Sequence, residues 1–360
     1  MPATLLAENE IGLVAENKVE ISVRGKWITV PALEVEGKAV IVRGKLVKIA
    51  AIHEDKWLET DVEDPAPYVK ALRNHRSQGY RADIFTFPQK PPANLGKFNY
   101  PMESESLAAI RLTTFNDWWE KLPQETRKNV RRSKKRGIAV TVESFSDHLV
   151  AGIVGVNNDS PLRQQRSFDH YGKTFDQVKK DQSSFLDRSD FVCAYLGDEL
   201  IGFVKLVYRG NVASILQLLT KASHSDKRPA NALIAKVIEL CEAKRISYLV
   251  YGQLNYGNKR SSALREFKLR NGFEEVLVPR FYVPLTKWGN LSVKTRLHRG
   301  LIGMLPQSLI TAGIRVRAIF YSLVNSQSRC SSMAEQPNRT RQTGCSNPPA
   351  GSNFLSNEPK

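Results

Sequence analysis

Residues 191–252 read FVCAYLGDELIGFVKLVYRGNVASILQLLTKASHSDKRPANALIAKVIELCEAKRISYLVYG, and the fold follows from how the apolar period changes along them. Blocks 191–195, 199–208 and 213–220 are rich in β-branched and aromatic residues and are parted by short turns, which predicts three strands. Gly197 and Asp198 supply the turn of a hairpin between the first two. From 229 to 244 the period lengthens. Leu233, Ile234, Val237, Ile238 and Cys241 recur at i, i+1, i+4, i+5 and i+8, the stripe of a helix that packs on a sheet. A buried strand is expected at 248–251, a short helix at 261–271 and a closing strand at 275–284, giving the order β-β-β-α-β-α-β.

Upstream, residues 19–52 alternate β-branched residues with charges and are punctuated by Gly25, Gly37 and Gly44, the pattern of a small antiparallel meander. A helix is expected at 67–78 and a short buried strand at 83–87. Residues 88–101 hold four prolines and suit a linker. Beyond it lie a strand at 107–113, a helical segment at 115–136 interrupted at Pro123, a strand at 139–143 and a helix at 169–182. The chain is accordingly divided into a β-rich N-terminal domain (1–98), an α+β domain with a mixed central sheet flanked by helices (99–288), a basic amphipathic helical extension (289–326) and a disordered tail (327–360).

The composition of the 360 residues, 41% hydrophobic and 25% charged, is that of a globular protein. No apolar run approaches the ~20 residues of a membrane span, and the first ten residues carry no lysine or arginine to open a secretory signal, so a cytoplasmic protein is expected. Cys193, Cys241, Cys330 and Cys345 show neither C-x-x-C spacing nor a nearby histidine pair, which argues against zinc, a disulfide framework or a redox cofactor; Cys193 and Cys241 read as buried thiols. A formal net charge of +17 asks for an anionic partner. Seven of the ten residues RKNVRRSKKR, from Arg127 to Arg136, are basic. As a helix they would track a phosphate backbone, as in tRNA or another polyanion; a solvated face is the plainer reading. The segment 289–326 could lie on an anionic membrane surface or pack back onto the domain before it.

Four local sequences carry a resemblance: Trp118-Trp119-Glu120-Lys121-Leu122 with the basic run that ends before Gly137; Gly202-Phe203; Arg228-Pro229-Ala230-Asn231-Ala232; and Phe267-Lys268 with Asn271-Gly272-Phe273. With the element order they resemble the GNAT superfamily and, within it, Fem-type acyltransferases. The resemblance covers about half of the chain and implies a GNAT-like fold. It also implies transfer of an acyl group from an activated donor, acyl-CoA favoured and none tightly bound, to an amine or hydroxyl of a small-molecule, peptide or sugar acceptor. It puts the donor's diphosphate at the start of the helix near 229, with Leu218 and Leu219 at the end of the strand before it and Lys227, Arg228, Ala230, Asn231 and Ala232 around it. A helix start offers free N–H groups and a positive dipole end to a phosphate. Asn231 stands where the usual pattern has glycine. Fem-type members use aminoacyl-tRNA and often lack that glycine, so an aminoacyl-tRNA donor is the alternative, beside a non-catalytic polyanion-binding domain.

Acyl transfer needs a base for the acceptor, donors for the carbonyl and a proton for the leaving group. Tyr251 and Tyr256 are expected as candidates for the last, against tyrosines that only pack. Asp226 or His224, with Glu266 behind them, are candidates for the base, against a solvated loop. His170 is a second base candidate, in a cluster running from Arg163 to Lys173 that a surface helix start explains almost as well. Cys345-Ser346-Asn347-Pro348 and Gly351-Ser352-Asn353 are what a reading frame run through a tRNA gene would encode, and folding a cloverleaf from the coding DNA would test this.

Overall fold

The computed structural model describes residues 15–23, 26–54, 61–76, 79–92, 97–163, 166–255 and 262–300. The chain divides into units 1–304 and 305–360, and every described residue belongs to the first. Tyr256, Cys330, Cys345, the extension beyond 300 and the tail 327–360 lie outside the described residues.

The meander is β1 (Ala15–Val23), β2 (Lys26–Val35), β3 (Lys38–Arg43) and β4 (Ile49–Ile52), each antiparallel to the next. Then come α1 (Ala66–Asn74), β5 (Ile84–Pro88), β6 (Met102–Arg111), α2 (Phe115–Lys121), α3 (Gln124–Lys135), β7 (Ile138–Glu143), α4 (Asp147–Asn157), the short pair β8 (Leu162–Arg163) and β9 (Arg166–Ser167), and α5 (Phe175–Gln182). The decisive stretch forms β10 (Ser189–Leu196), β11 (Glu199–Arg209), β12 (Val212–Thr220), α6 (Pro229–Ala243) and β13 (Tyr248–Gln253), followed by α7 (Ala263–Arg270), β14 (Glu274–Pro284) and α8 (Lys287–Lys294). The expected order β-β-β-α-β-α-β is therefore present.

Among the described residues, twelve strands make one mixed sheet in the order β1-β2-β3-β4-β5-β14-β6-β13-β12-β11-β10-β7. The strand β14 pairs antiparallel with both β5 and β6, so the strands on either side of residue 98 share one ladder. The fold is α+β, a mixed sheet carrying helices, as expected.

Helix α6 begins at Pro229, whose ring presets the first helical φ, and buries Leu233, Ile234, Val237, Ile238 and Cys241 against the sheet, with Trp118 in the same cluster. Leu149, Val150 and Ile153 of α4 and Val178 of α5 pack with Phe191, Cys193 and Phe203 in a second cluster. Burial pushes the Cys241 thiol up to about 12 and the Cys193 thiol also upward, which leaves both protonated and inert. The third core stacks Tyr68 on Phe85 and joins Phe87 to Phe281.

Two helices depart from expectation, β6 begins at Met102 rather than near 107, and the pair β8–β9 is an addition. Helix α5 starts at Phe175 rather than near 169, because Thr174 and Gln177 close a capping box there. Helix α4 is an addition, entered through Ser146, whose hydroxyl accepts from the Leu149 amide.

Candidate functional site

Strand β12 runs parallel to β13 only through Val212, Ala213 and Ser214, opposite Tyr248, Leu249 and Val250. Beyond that it stays paired with β11 as far as Thr220, while β13 turns to pair Gln253 with Leu107 of β6. Both strands are irregular where they part. Leu216 is an extra residue between the pairs Ile215–Leu206 and Gln217–Lys205. Across the opening, β13 shifts register between Val250 and Gln253, with Gly252 at φ +56°. The edge of β12 from Leu216 to Thr220 that faces β13 thus has no strand partner among the described residues. Backbone amides left without a strand partner are suited to polarising a carbonyl.

Two fully buried lysines sit beside these irregularities. Lys205 of β11 donates to the carbonyls of Gln182 and Ser184, each at 2.6 Å, and to Ser184 Oγ at 3.2 Å, a cation capping the C-terminal end of α5. Lys268 of α7 donates to the carbonyls of Tyr251 at 2.6 Å and Gln253 at 2.8 Å, on either side of Gly252. Burial pulls both ammonium groups down to about 8, with Glu54 opposing the effect at Lys205.

His170 is the expected catalytic residue that the structure brings to β12. Its Nε2 lies 3.4 Å from the Gln217 amide nitrogen, and Gln182 Nε2 donates to Gln217 Oε1 at 2.6 Å. Lys173, paired with Asp181, reaches His170 Nδ1 at 3.3 Å. Burial, then the Lys173 charge, lowers the His170 pKa from 6.5, so the ring is neutral near pH 7. Gln182 Oε1 is buried without a hydrogen-bond partner among the described residues, leaving a spare acceptor beside β12.

The turn after β12, Ala222–Lys227, holds an internal anion. The Asp159 carboxylate, just past α4, accepts from the amides of Ala222 at 2.5 Å and Ser223 at 3.3 Å and from Ser223 Oγ. Burial alone would raise its pKa, but these hydrogen bonds hold it below the ordinary carboxylate value. Arg228 closes the turn in the left-handed region, φ +62°, and its carbonyl takes the amides of Asn231 at 3.2 Å and Ala232 at 3.5 Å. Asn231 reaches from α6 to Asn271 Oδ1 at 3.0 Å, and the Asn271 carbonyl accepts from Trp118 Nε1 at 3.0 Å. Three of the four quoted sequence elements therefore meet, and Asn231 serves as a tie between helices.

The remaining expected residues are dispersed. His224 lies 3.5 Å from Glu199 and 2.9 Å from Ser223 Oγ. Asp226 is an exposed ion-pair residue: Arg136 at the end of α3 donates to its carbonyl and contacts its carboxylate at 3.3 Å, and Lys227 lies 3.5 Å away. Glu266 is exposed beside Arg265. Tyr251 packs on Phe273 and under Lys268, in the cluster on the α6 side, whereas Leu219 joins the cluster on the α4 side. Leu218 packs with the α6 cluster, Ala232 is buried and Ala230 half-buried. Sequence reading quoted Lys268 without giving it a role, and missed Lys205, Asp159, Gln182 and the side chain of Gln217. Among the described residues, cavities of about 360, 570 and 510 Å³ lie against Tyr282 and Arg299, between Trp118 and Phe273, and between Phe115 and Glu242. No described helix is long and apolar enough to cross a membrane.

No protein-family model and no curated protein matches the chain. Solved structures do. L-PGS from Bacillus licheniformis is 15% identical, covers 74% of this chain and 86% of its own, with a TM-score of 0.47. FemX is 10% identical over 74% of this chain and 88% of its own, with a TM-score of 0.45. PaiA N-acetyltransferase from Thermoplasma acidophilum in complex with coenzyme A is 16% identical over 39% of this chain and 98% of its own, with a TM-score of 0.31.

Proposed function

We propose that this chain is a transferase that moves an acyl group from an activated donor to an amine or hydroxyl, with the donor carbonyl at the parting of β12 and β13. The observation that carries this reading is the unpartnered edge of β12 lying beside the neutral His170 and its glutamine network. Edge amides polarise the carbonyl as negative charge develops on its oxygen. The acceptor binds with an N–H or O–H toward His170. Its proton passes to the His170 nitrogen that faces Gln217 as the acceptor atom bonds to the carbonyl carbon. The bond from that carbon to the leaving atom then breaks, and the leaving atom takes the proton back from the imidazolium.

Acyl-CoA, favoured from the sequence, needs the turn after β12 for its diphosphate. The Asp159 carboxylate sits on two amides of that turn, and those of Asn231 and Ala232 turn back onto Arg228. A negative charge already occupies the place a diphosphate would take. This favours the alternative donor, an aminoacyl ester carried on tRNA. The basic helix α3 supports it: Lys128, Arg131, Lys134 and Lys135 are exposed, while Arg136 links the helix to the turn at Asp226.

The deciding experiment is thermal stabilisation of the full chain with acetyl-CoA or aminoacyl-tRNA at two salt concentrations, followed by single-turnover transfer. A midpoint raised by aminoacyl-tRNA and falling back with salt is expected. A rise with acetyl-CoA that Arg228→Glu abolishes would restore the coenzyme A reading. No transfer from either donor would sink the transferase reading.

A further inference from the structure

Helix α8 is fixed by one face. Thr286 caps it, with its hydroxyl accepting from the Gly289 amide at 2.9 Å and donating to Asp83 Oδ1 at 3.0 Å. Gly289 is pressed so closely on the chain that an added Cβ would lie 1.9 Å from the Asp83 carbonyl oxygen. The opposite face is thereby turned outward, and it carries Trp288 and Leu291 one helical turn apart, 39% and 49% exposed. Trp288 Nε1 donates to the Leu46 carbonyl at 3.1 Å, which sets Leu46, 59% exposed, beside them. Lys45 precedes Leu46, Lys287 precedes Trp288 and Lys294 follows Leu291 by three residues on α8, and all three lysines are exposed. Neither residues 43–48 nor residues 286–334 contain an aspartate or glutamate, and Asp83, the carboxylate that anchors α8, is buried.

We propose that this face of α8 and the loop before β4 is a docking surface for an anionic lipid bilayer. Indole and leucine side chains enter the interface between headgroups and acyl chains, while lysines extend their stems toward lipid phosphates. The apolar centre is what selects a membrane over a soluble polyanion, since a nucleic acid backbone is bound by the lysines alone and gains nothing from Leu46 or Leu291. The carboxylate-free sequence continuing from α8 keeps the same sign of charge. This surface is independent of the transferase reading and stands or falls by itself.

The test is co-sedimentation of the full chain with sucrose-loaded vesicles, either pure phosphatidylcholine or an equimolar mixture with phosphatidylserine, with heparin as a soluble competitor. Binding to the anionic vesicles and not to the neutral ones is expected. Lys287→Glu with Lys294→Glu should weaken it by roughly 25-fold or more, from about a fivefold loss per removed basic residue. Trp288→Ser with Leu291→Ser should weaken vesicle binding several-fold and leave heparin binding unchanged. Leu46→Ser, which spares the tryptophan and its hydrogen-bonded helix, is the control against a folding defect and should reduce vesicle binding while keeping the melting midpoint. Wild-type vesicle binding in all three variants would overturn the proposal. So would apolar variants that bind vesicles normally while the lysine variant loses vesicles and heparin alike, the result that marks a soluble polyanion site.

Discussion

The Lys268 ammonium donates to the Tyr251 carbonyl at 2.6 Å from a side chain with no solvent exposure. With its second bond, to Gln253, it captures backbone oxygens on both sides of the bend in β13 and holds that strand away from β12. Lys268→Met removes the donor and leaves buried carbonyls unsatisfied. It should destabilise the fold by about 2–4 kcal/mol in urea unfolding and lower transfer activity as the opening closes or loosens. A loss below about 0.5 kcal/mol, the range of ordinary surface substitutions, would mean the bend does not depend on this lysine.

His170→Ala should lower the single-turnover rate by about 10²–10⁴-fold with little change in melting midpoint. In the wild type the acid limb of the rate profile should lie below pH 6.5, because burial and Lys173 disfavour the imidazolium. A variant with an unaltered profile would remove His170 from the chemistry.

Asp159→Ala strips the carboxylate from the amides of Ala222 and Ser223. The cost should be small, about 1 kcal/mol, since the group is only partly buried. If the turn is a phosphate cradle filled by its own side chain, the variant should gain a thermal shift with coenzyme A that the wild type lacks. Equal responses in the two proteins would show that Asp159 does not guard the turn.

Glu103 governs the acid response of the region next to α8. Burial would raise its pKa, but hydrogen bonds from His298 and Arg299 overrule burial and bring it to about 2 from 4.5. A carboxylate with a depressed folded pKa contributes stability that is fully present above about 4.5 and lost as pH falls toward 2. After discounting for solvent screening the loss should be on the order of 2 kcal/mol. Glu103→Gln should flatten the stability profile between those pH values, and a profile as steep as the wild type's would assign the acid sensitivity to another group.

The order of elements from 191 to 284 was legible because each strand or helix announces its own period over a few residues. Helix α4 was not, since Gly152 and Gly155 lower the helical propensity of DHLVAGIVGVN. Packing overrides that propensity: a Cβ on Gly152 would come within 2.8 Å of Leu200, so the close approach of α4 to β11 uses the glycine. At the site, His170 was legible as an ionisable group in a polar cluster, and Asn231 as a departure from glycine. Its pairing with Asn271, 40 residues away, was not.

By itself, the sequence determined most of the strands and helices from 191 to 284, where their apolar faces lie and how the charge is distributed, since those properties arise between near neighbours. The parting of β12 from β13 was decided only in the tertiary structure. A lysine in the middle of a strand or helix reads as solvated, and Lys205 and Lys268 are buried only because carbonyls of α5, its following turn and β13 converge on them. The cost of burying each ammonium is offset by oxygens that are distant in sequence, and no local pattern records such a partnership.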